Sequence, residues 1–361
     1  PLPEPPAFYA DPPYTLTSQF IGRSKELAQL DAWAQSGERI MLIEAIGGMG
    51  KSAVTWEWVQ SRALTTHQYD GVMWWSFYES GATMSAFLRH ALAYLTRQNP
   101  DSLKGGDSRE HLRLLQRELM KGRYLLVLDG LERVLVAYHR WNAAQMRDDT
   151  VEAAESIIKD RDIRACTDPV DDEVLKALLA CAPSQFLISS RLLPLALEDR
   201  TGNLSKGVAH IHLNGLHPAD ALALADYLAE DDAHALALAR HAGVKVGNER
   251  QFTDFVRSFG GHSLLVKLVA GRVNKFKRAR GDFDRWYEAE GRSLTLSDYD
   301  LKGRQTDILQ YAFAGLDSAA LRFLSQIAAF GDAVEYKVLA IFNPYVKSAP
   351  EVVVPQAIDD D

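Results

Sequence analysis

The chain has 361 residues, 47% hydrophobic and 24% charged, which is apolar mass enough for two or three buried cores and excludes a disordered polymer. A formal net charge of -8 excludes a surface built as a whole to neutralise a nucleic-acid backbone, so any such contact must be regional. Cys166 and Cys181, without CxxC spacing, exclude a disulfide framework and a cysteine zinc site and fit a reducing cytoplasm.

Six of the 14 prolines fall within Pro1 to Pro13, so residues 1–16 read as an extended linker rather than a signal sequence. The start at Pro1 and the acidic Asp359 to Asp361 closing an unfinished apolar pattern suggest a fragment of a longer protein. Leu27, Leu30 and Trp33 predict a helix over 25–33, stopped at Gly37. Arg39 to Glu44 predicts a strand, and after a glycine cluster Ser52 to Ser61 favours helix. Further strand-like runs lie at Gly71 to Phe77, Tyr124 to Leu128, Gln185 to Ser189 and Val208 to Leu213, with helix-length segments between them. The alternation predicts an α/β unit over 17–215, a parallel sheet with helices on both faces. Asn142 to Pro183, rich in acids, reads as a solvated helical insertion.

Near Gly215 the character changes to Ala- and Leu-rich helical sequence, predicting an all-α unit over 216–300. Thr306 to Phe330 predicts two amphipathic helices, one with Leu309, Phe313 and Leu316, the other with Leu321, Leu324 and Ile327, at the start of a third unit over 301–361. No apolar stretch reaches the roughly 18 to 20 residues of a spanning helix, so no membrane partner is expected. No internal repeat of about 20 to 50 residues is visible.

Between the first predicted strand and the next helix stands Ala45-Ile46-Gly47-Gly48-Met49-Gly50-Lys51-Ser52, a Walker A loop with Ala45 in place of its first glycine. Glycines let the backbone wrap phosphates with N–H groups turned inward, and the following helix adds its positive end. Lys51 should then contact the outer phosphates and Ser52 should ligate Mg²⁺. Tyr124 to Asp129 supplies the matching Walker B strand, whose terminal Asp129 can hold Mg²⁺ through water. The position after Asp129, where many P-loop ATPases carry a second acid, is Gly130. Glu132 is the nearest acid able to orient a water, a salt bridge being its competing role, and Glu44 is a further alternative. Ser189-Ser190-Arg191 ends the fourth strand run, where Arg191 can tell a triphosphate from a diphosphate by a charge-assisted contact.

In this order the motifs resemble the STAND class of signal-transduction ATPases, in its NB-ARC-like branch of plant resistance proteins, apoptotic scaffolds and bacterial regulators. Phe20-Ile21-Gly22-Arg23 looks like the family's adenine-cradling hhGR, Met73 to Ser76 its aromatic second strand, and Gly260-Gly261-His262-Ser263-Leu264 the GGxPL element of its helical lid. Leu309 to Phe330 is similar to the start of its winged-helix domain, so the resemblance implies a P-loop domain, a lid and a partial winged helix. It implies a nucleotide site of Phe20, Ile21, Gly22, Arg23, Gly47, Gly48, Met49, Gly50, Lys51, Ser52, Ala53 and Ser263, with Lys51, Asp129 and Arg191 as catalytic groups beside Glu132, which position alone suggests. Mg²⁺ would lie at Ser52 and Asp129.

Departures accompany the matches. Ser263 replaces the lid proline, and no Met-His-Asp triplet follows the winged-helix start. His262 is expected to be structural. The implied activity is a cytoplasmic ATP/ADP switch with slow hydrolysis. It would govern self-association of a signalling or immune-type protein, possible in bacterial antiviral defence, whose linked effector and sensor domains lie outside this sequence. Two other readings stay open: a transcriptional regulator of the same class acting on DNA through a separate domain or the winged helix, supported by the basic stretch Arg272 to Arg280, and a scaffold that binds nucleotide without hydrolysis.

Overall fold

The computed structural model describes residues 4–5, 7–9, 20, 23–67, 69–79, 81–139, 162–213, 243–295 and 318–329. Every predicted strand run forms a strand: β1 Ile40–Glu44, β2 Gly71–Ser76, β3 Tyr124–Asp129, β4 Gln185–Ser190 and β5 Val208–His212. They make one parallel sheet in the order β2-β3-β4-β1-β5. The three inner strands are buried along almost their whole length, which is why they read as unbroken apolar runs.

Successive side chains leave a strand on opposite faces, so the sheet feeds two cores. Leu42, Leu126, Leu128, Phe186 and Ile188 enter one, together with residues of α3 (Met84–Thr96) and α4 (Ser108–Leu119). Met41, Ile43, Leu125, Val127 and Leu187 enter the other, with residues of α1 (Ser24–Ala34) and α2 (Lys51–Trp58). Each such side chain contributes about 1.5–3 kcal/mol by leaving water. The caps are local: the Thr83 hydroxyl accepts the Ala86 N–H at the start of α3. A short helix α5, Val136–His139, follows β3.

The acid-rich segment is not all solvated. Its last part forms α6, Pro169–Leu178, which buries Val174, Leu175 and Leu178 in the first core and packs on α4, where Gln116 donates to the Ala177 carbonyl. Asp168 caps this helix and Asp171 and Asp172 lie in its first turn, so the acids mark a helix start on a core element. Residues 142–161 of the expected insertion lie outside the described residues.

The proline-rich start also differs from a free tether. Tyr9 bridges to Met73 on the outer edge of β2, receiving from the Trp74 N–H at 2.7 Å and donating its own to the Val72 carbonyl at 3.0 Å. It covers part of an otherwise open strand edge.

Residues 243–295 are helical, as expected of that stretch: α7 Glu249–Arg257, α8 Ser263–Lys275 and α9 Phe283–Trp286, the last continued by a π-turn and α10, Arg292–Thr295. Phe252, Phe255, Phe259, Phe283 and Trp286 form their core. The basic stretch straddles the end of α8, with Lys275, Lys277, Arg278 and Arg280 exposed, so it is a solvated helix end. Of the third unit the structure describes α11, Ser318–Ala329, which contains the second of the two helices expected there; the first lies outside the described residues. Among the described residues no helix is long and apolar enough to cross a membrane.

Candidate nucleotide-binding site

The loop between β1 and α2 is where the sequence puts its phosphate cradle, and the backbone explains the glycines. Gly48 and Gly50 adopt φ of 79° and 96°, which glycine enters without the Cβ penalty. At Gly47 a Cβ would lie 3.2 Å from Cζ of Arg191, so glycine leaves that guanidinium its close approach to the loop. Ala45 is fully buried, packs into the second core and donates its N–H to the Ser190 carbonyl at 3.2 Å, so alanine fits the position of the first glycine. Lys51 is buried at the head of α2, its Nζ donating to the carbonyls of Ala45 at 2.7 Å and Ile46 at 3.4 Å. An ammonium inside a loop at a helix N-terminus is a site for an anion.

Asp129 at the end of β3 is buried and accepts hydrogen bonds from Ser52 Oγ, at 2.8 Å, and Ser189 Oγ. Ser189 in turn accepts the Gly130 N–H at 3.0 Å. Because β4 lies beside β3, the hydroxyl of Ser189, next to last in β4, meets Asp129 at the end of β3. Burial pushes the Asp129 carboxyl up to about 6, against the opposing pull of Ser189, Ser52 and Lys51, while Glu132 adds to the rise. A carboxylate that is costly to ionise, next to a serine hydroxyl, suits a hard divalent cation such as Mg²⁺.

Glu132 is 1% exposed and is no surface acid. Tyr78 Oη donates to its Oε1 at 2.6 Å, the Arg191 N–H donates to its Oε2 at 3.2 Å, and Arg191 Nε stands 3.1 Å from Oε1. Burial, reinforced by Glu132 and Asp129, holds the Tyr78 hydroxyl well above its ordinary range, so it remains a donor. The same Arg191 guanidinium lies against Gly47, so one cation spans the loop and the buried acid. Gly130 has φ 77°, and a Cβ on it would meet the Tyr78 ring at 2.6 Å. The space a side chain after Asp129 would take is thus filled by the Tyr78 ring. Tyr78, two residues beyond β2, carries no sequence signal for this role.

The other expected site residues are placed unevenly. Arg23, buried with φ 59°, donates to Glu26 at 2.6 Å and to the Met49 carbonyl at 3.1 Å, bracing the loop. Phe20 packs on the second core, Met49 belongs to it and Ala53 is half-buried, while Ile21 and Gly22 lie outside the described residues. Ser263 opens α8, after Gly260 and Gly261 at positive φ. Its neighbour His262, expected to be only structural, donates from Nε2 to the Gly47 carbonyl at 2.8 Å and so reaches the loop. Glu44 lies instead beside β5, with His210 Nε2 at 2.9 Å.

The family-model comparison agrees with the motifs. The family model described as NB-ARC domain matches residues 25–177. No curated protein matches the chain. Among solved structures it is similar to the Walker-type ATPase PABY2304 of Pyrococcus abyssi, at 12% identity and a TM-score of 0.44, covering 92% of this chain and 90% of that one. Cdc6p from Pyrobaculum aerophilum matches at 14% identity and a TM-score of 0.41, covering 93% of this chain and 82% of that one. A Drosophila ORC structure bound to DNA matches at 13% and 0.36, covering 70% and 59%. Residues 25–177 thus match the NB-ARC domain model, and the parallel sheet with its loop between β1 and α2 is a P-loop NTPase-like fold.

Proposed function

We propose that the chain is an adenine-nucleotide switch in which Arg191 reports the outermost phosphate. The supporting observation is that one guanidinium lies beside Gly47 of the loop and ion-pairs with buried Glu132. With ATP in the loop, Lys51 would hold the outer phosphates and Arg191 would trade part of its hold on Glu132 for the γ-phosphate. Glu132, retained by Tyr78, would then be free to orient a water for slow hydrolysis. Mg²⁺ held through Ser52 and Asp129 would neutralise charge on the outer phosphates. Ile21, Gly22, Arg23 and Ser263 would line the base and ribose end.

Residues 216–300 would act as a lid and 301–361 as the start of a winged helix. His262 would carry the loop's state to the lid through its bond to Gly47. Reversing a 1:99 population takes about 5.5 kcal/mol of differential affinity, a demand that a γ-phosphate facing Lys51 and Arg191 could largely meet. The output would be nucleotide-dependent self-association that activates linked signalling domains, in an immune or antiviral setting.

Calorimetry with ATP-Mg²⁺ and ADP on the wild type and Lys51→Ala tests this, with light scattering of each state. Binding by the wild type, lost in Lys51→Ala, and a larger assembly with ATP than with ADP are expected. Absence of heat with either nucleotide would overturn the reading, and salt-sensitive DNA binding without any change of assembly would favour the regulator.

A further inference from the structure

We propose that Glu44, His210 and His212 form a site for a divalent transition metal, of the Zn²⁺ class, on the face of the sheet beside the phosphate loop. His210 and His212 are two apart on β5 and therefore project from the same face. Parallel pairing sets Glu44 directly across from His212 and Leu42 across from His210, so the carboxylate is opposite one imidazole and diagonal to the other. Glu44 Oε2 lies 2.9 Å from His210 Nε2 and 3.7 Å from His212 Nδ1, and the two imidazole centroids are 3.8 Å apart. One ligand atom from each residue falls within 4.8 Å of the others.

Those separations are what three corners of a coordination shell require. Bonds of about 2.0–2.1 Å in a tetrahedron put ligand atoms roughly 3.3 Å apart, and the two distances to Glu44 straddle that value. Closing the set would require the exposed His212 side chain to turn toward Glu44 and His210. A simple ion pair accounts for the arrangement less well, because a single carboxylate oxygen serves two rings that would repel each other if both were charged. A metal takes neutral imidazoles and removes that conflict.

The donor set also gives selectivity. Two imidazoles and a carboxylate favour Zn²⁺ and its softer neighbours, whereas the hydroxyl and carboxylate of Ser52 and Asp129 suit Mg²⁺. Arg164, on which Glu44 has a small electrostatic effect, is held by Glu198 at Nη2 to Oε2 of 3.1 Å. Three protein ligands leave a fourth position for water. Since Ala45 follows Glu44 directly, the ion would clamp edge strand β5 to the strand that launches the phosphate loop.

Co²⁺ and Zn²⁺ titrations of the 361-residue chain in excess Mg²⁺ test the site, with Co²⁺ read by its visible d–d absorption and Zn²⁺ by competition with a chromophoric chelator. One ion per chain, a Co²⁺ band of four-coordinate intensity and a higher Tm with Zn²⁺ are expected. His212→Gln, at an exposed position, should weaken binding at least about tenfold, and the His210→Ala/His212→Ala pair about a hundredfold or more. Circular dichroism in chelator checks that each variant is folded, and Glu44→Gln reports the carboxylate separately. Equal affinity in wild type and His212→Gln, or no binding by the wild type, would overturn the proposal.

Discussion

Gly130→Ala puts the packing around the buried acid to a direct test. The substitution forces a side chain onto a backbone with φ 77°, costing about 1–2 kcal/mol. Its methyl would also stand 2.6 Å from Tyr78 Cε2 and 2.7 Å from Cζ, so the ring must move. Moving it breaks the 2.6 Å hydrogen bond from Tyr78 to Glu132, a bond to a charged acceptor worth about 1.5–3 kcal/mol. Together these give a loss of about 2.5–5 kcal/mol. Urea denaturation followed by tryptophan fluorescence measures it, and a cycle with Tyr78 separates the parts. Tyr78→Phe should cost the hydrogen bond alone, and Gly130→Ala in a Tyr78→Ala background should cost only the backbone strain. Should Gly130→Ala lie within about 0.5 kcal/mol of the wild type, below any clash of this kind, or cost as much in the Tyr78→Ala background, the reasoning fails.

Two further outcomes follow from neighbouring features. Desolvation, helped by Asp168 and Asp172, pushes the Asp171 carboxyl up to about 7. The fold therefore favours its protonated form, and that contribution is complete below the ordinary value of 3.8 and is lost as pH rises through about 7. Asp171→Asn should accordingly gain stability over the wild type at pH 8 and not at pH 4, by a margin that partial exposure reduces; a pH-independent difference in urea midpoints would contradict this. His262→Ala removes the hydrogen bond to Gly47, so amide exchange in residues 263–275 should quicken about two- to tenfold while α1 is unaffected. Unchanged exchange there would mean that the bond does not restrain the helix.

The sequence by itself determined the strands, the phosphate loop and the acid that ends β3. Period, apolar runs and glycine placement are local properties, and buried parallel strands such as Tyr124–Asp129 announce themselves without knowledge of neighbours. Local signals also marked Lys51, Ser52 and Arg191. Acid count, a local average, misjudged α6, because Asp171 and Asp172 begin a helix whose Val174, Leu175 and Leu178 are core. Strand order was decided only in three dimensions: inserting β4 between β1 and β3 is what brings Ser189 onto Asp129 and Arg191 onto Gly47. The same holds for Tyr78 filling the space at Gly130, for His262 reaching the loop from a helix far along the chain, and for Glu44 facing two histidines across β1 and β5. Each is a contact between segments distant in sequence, and chain closure together with sheet register, rather than any local preference, sets who meets whom.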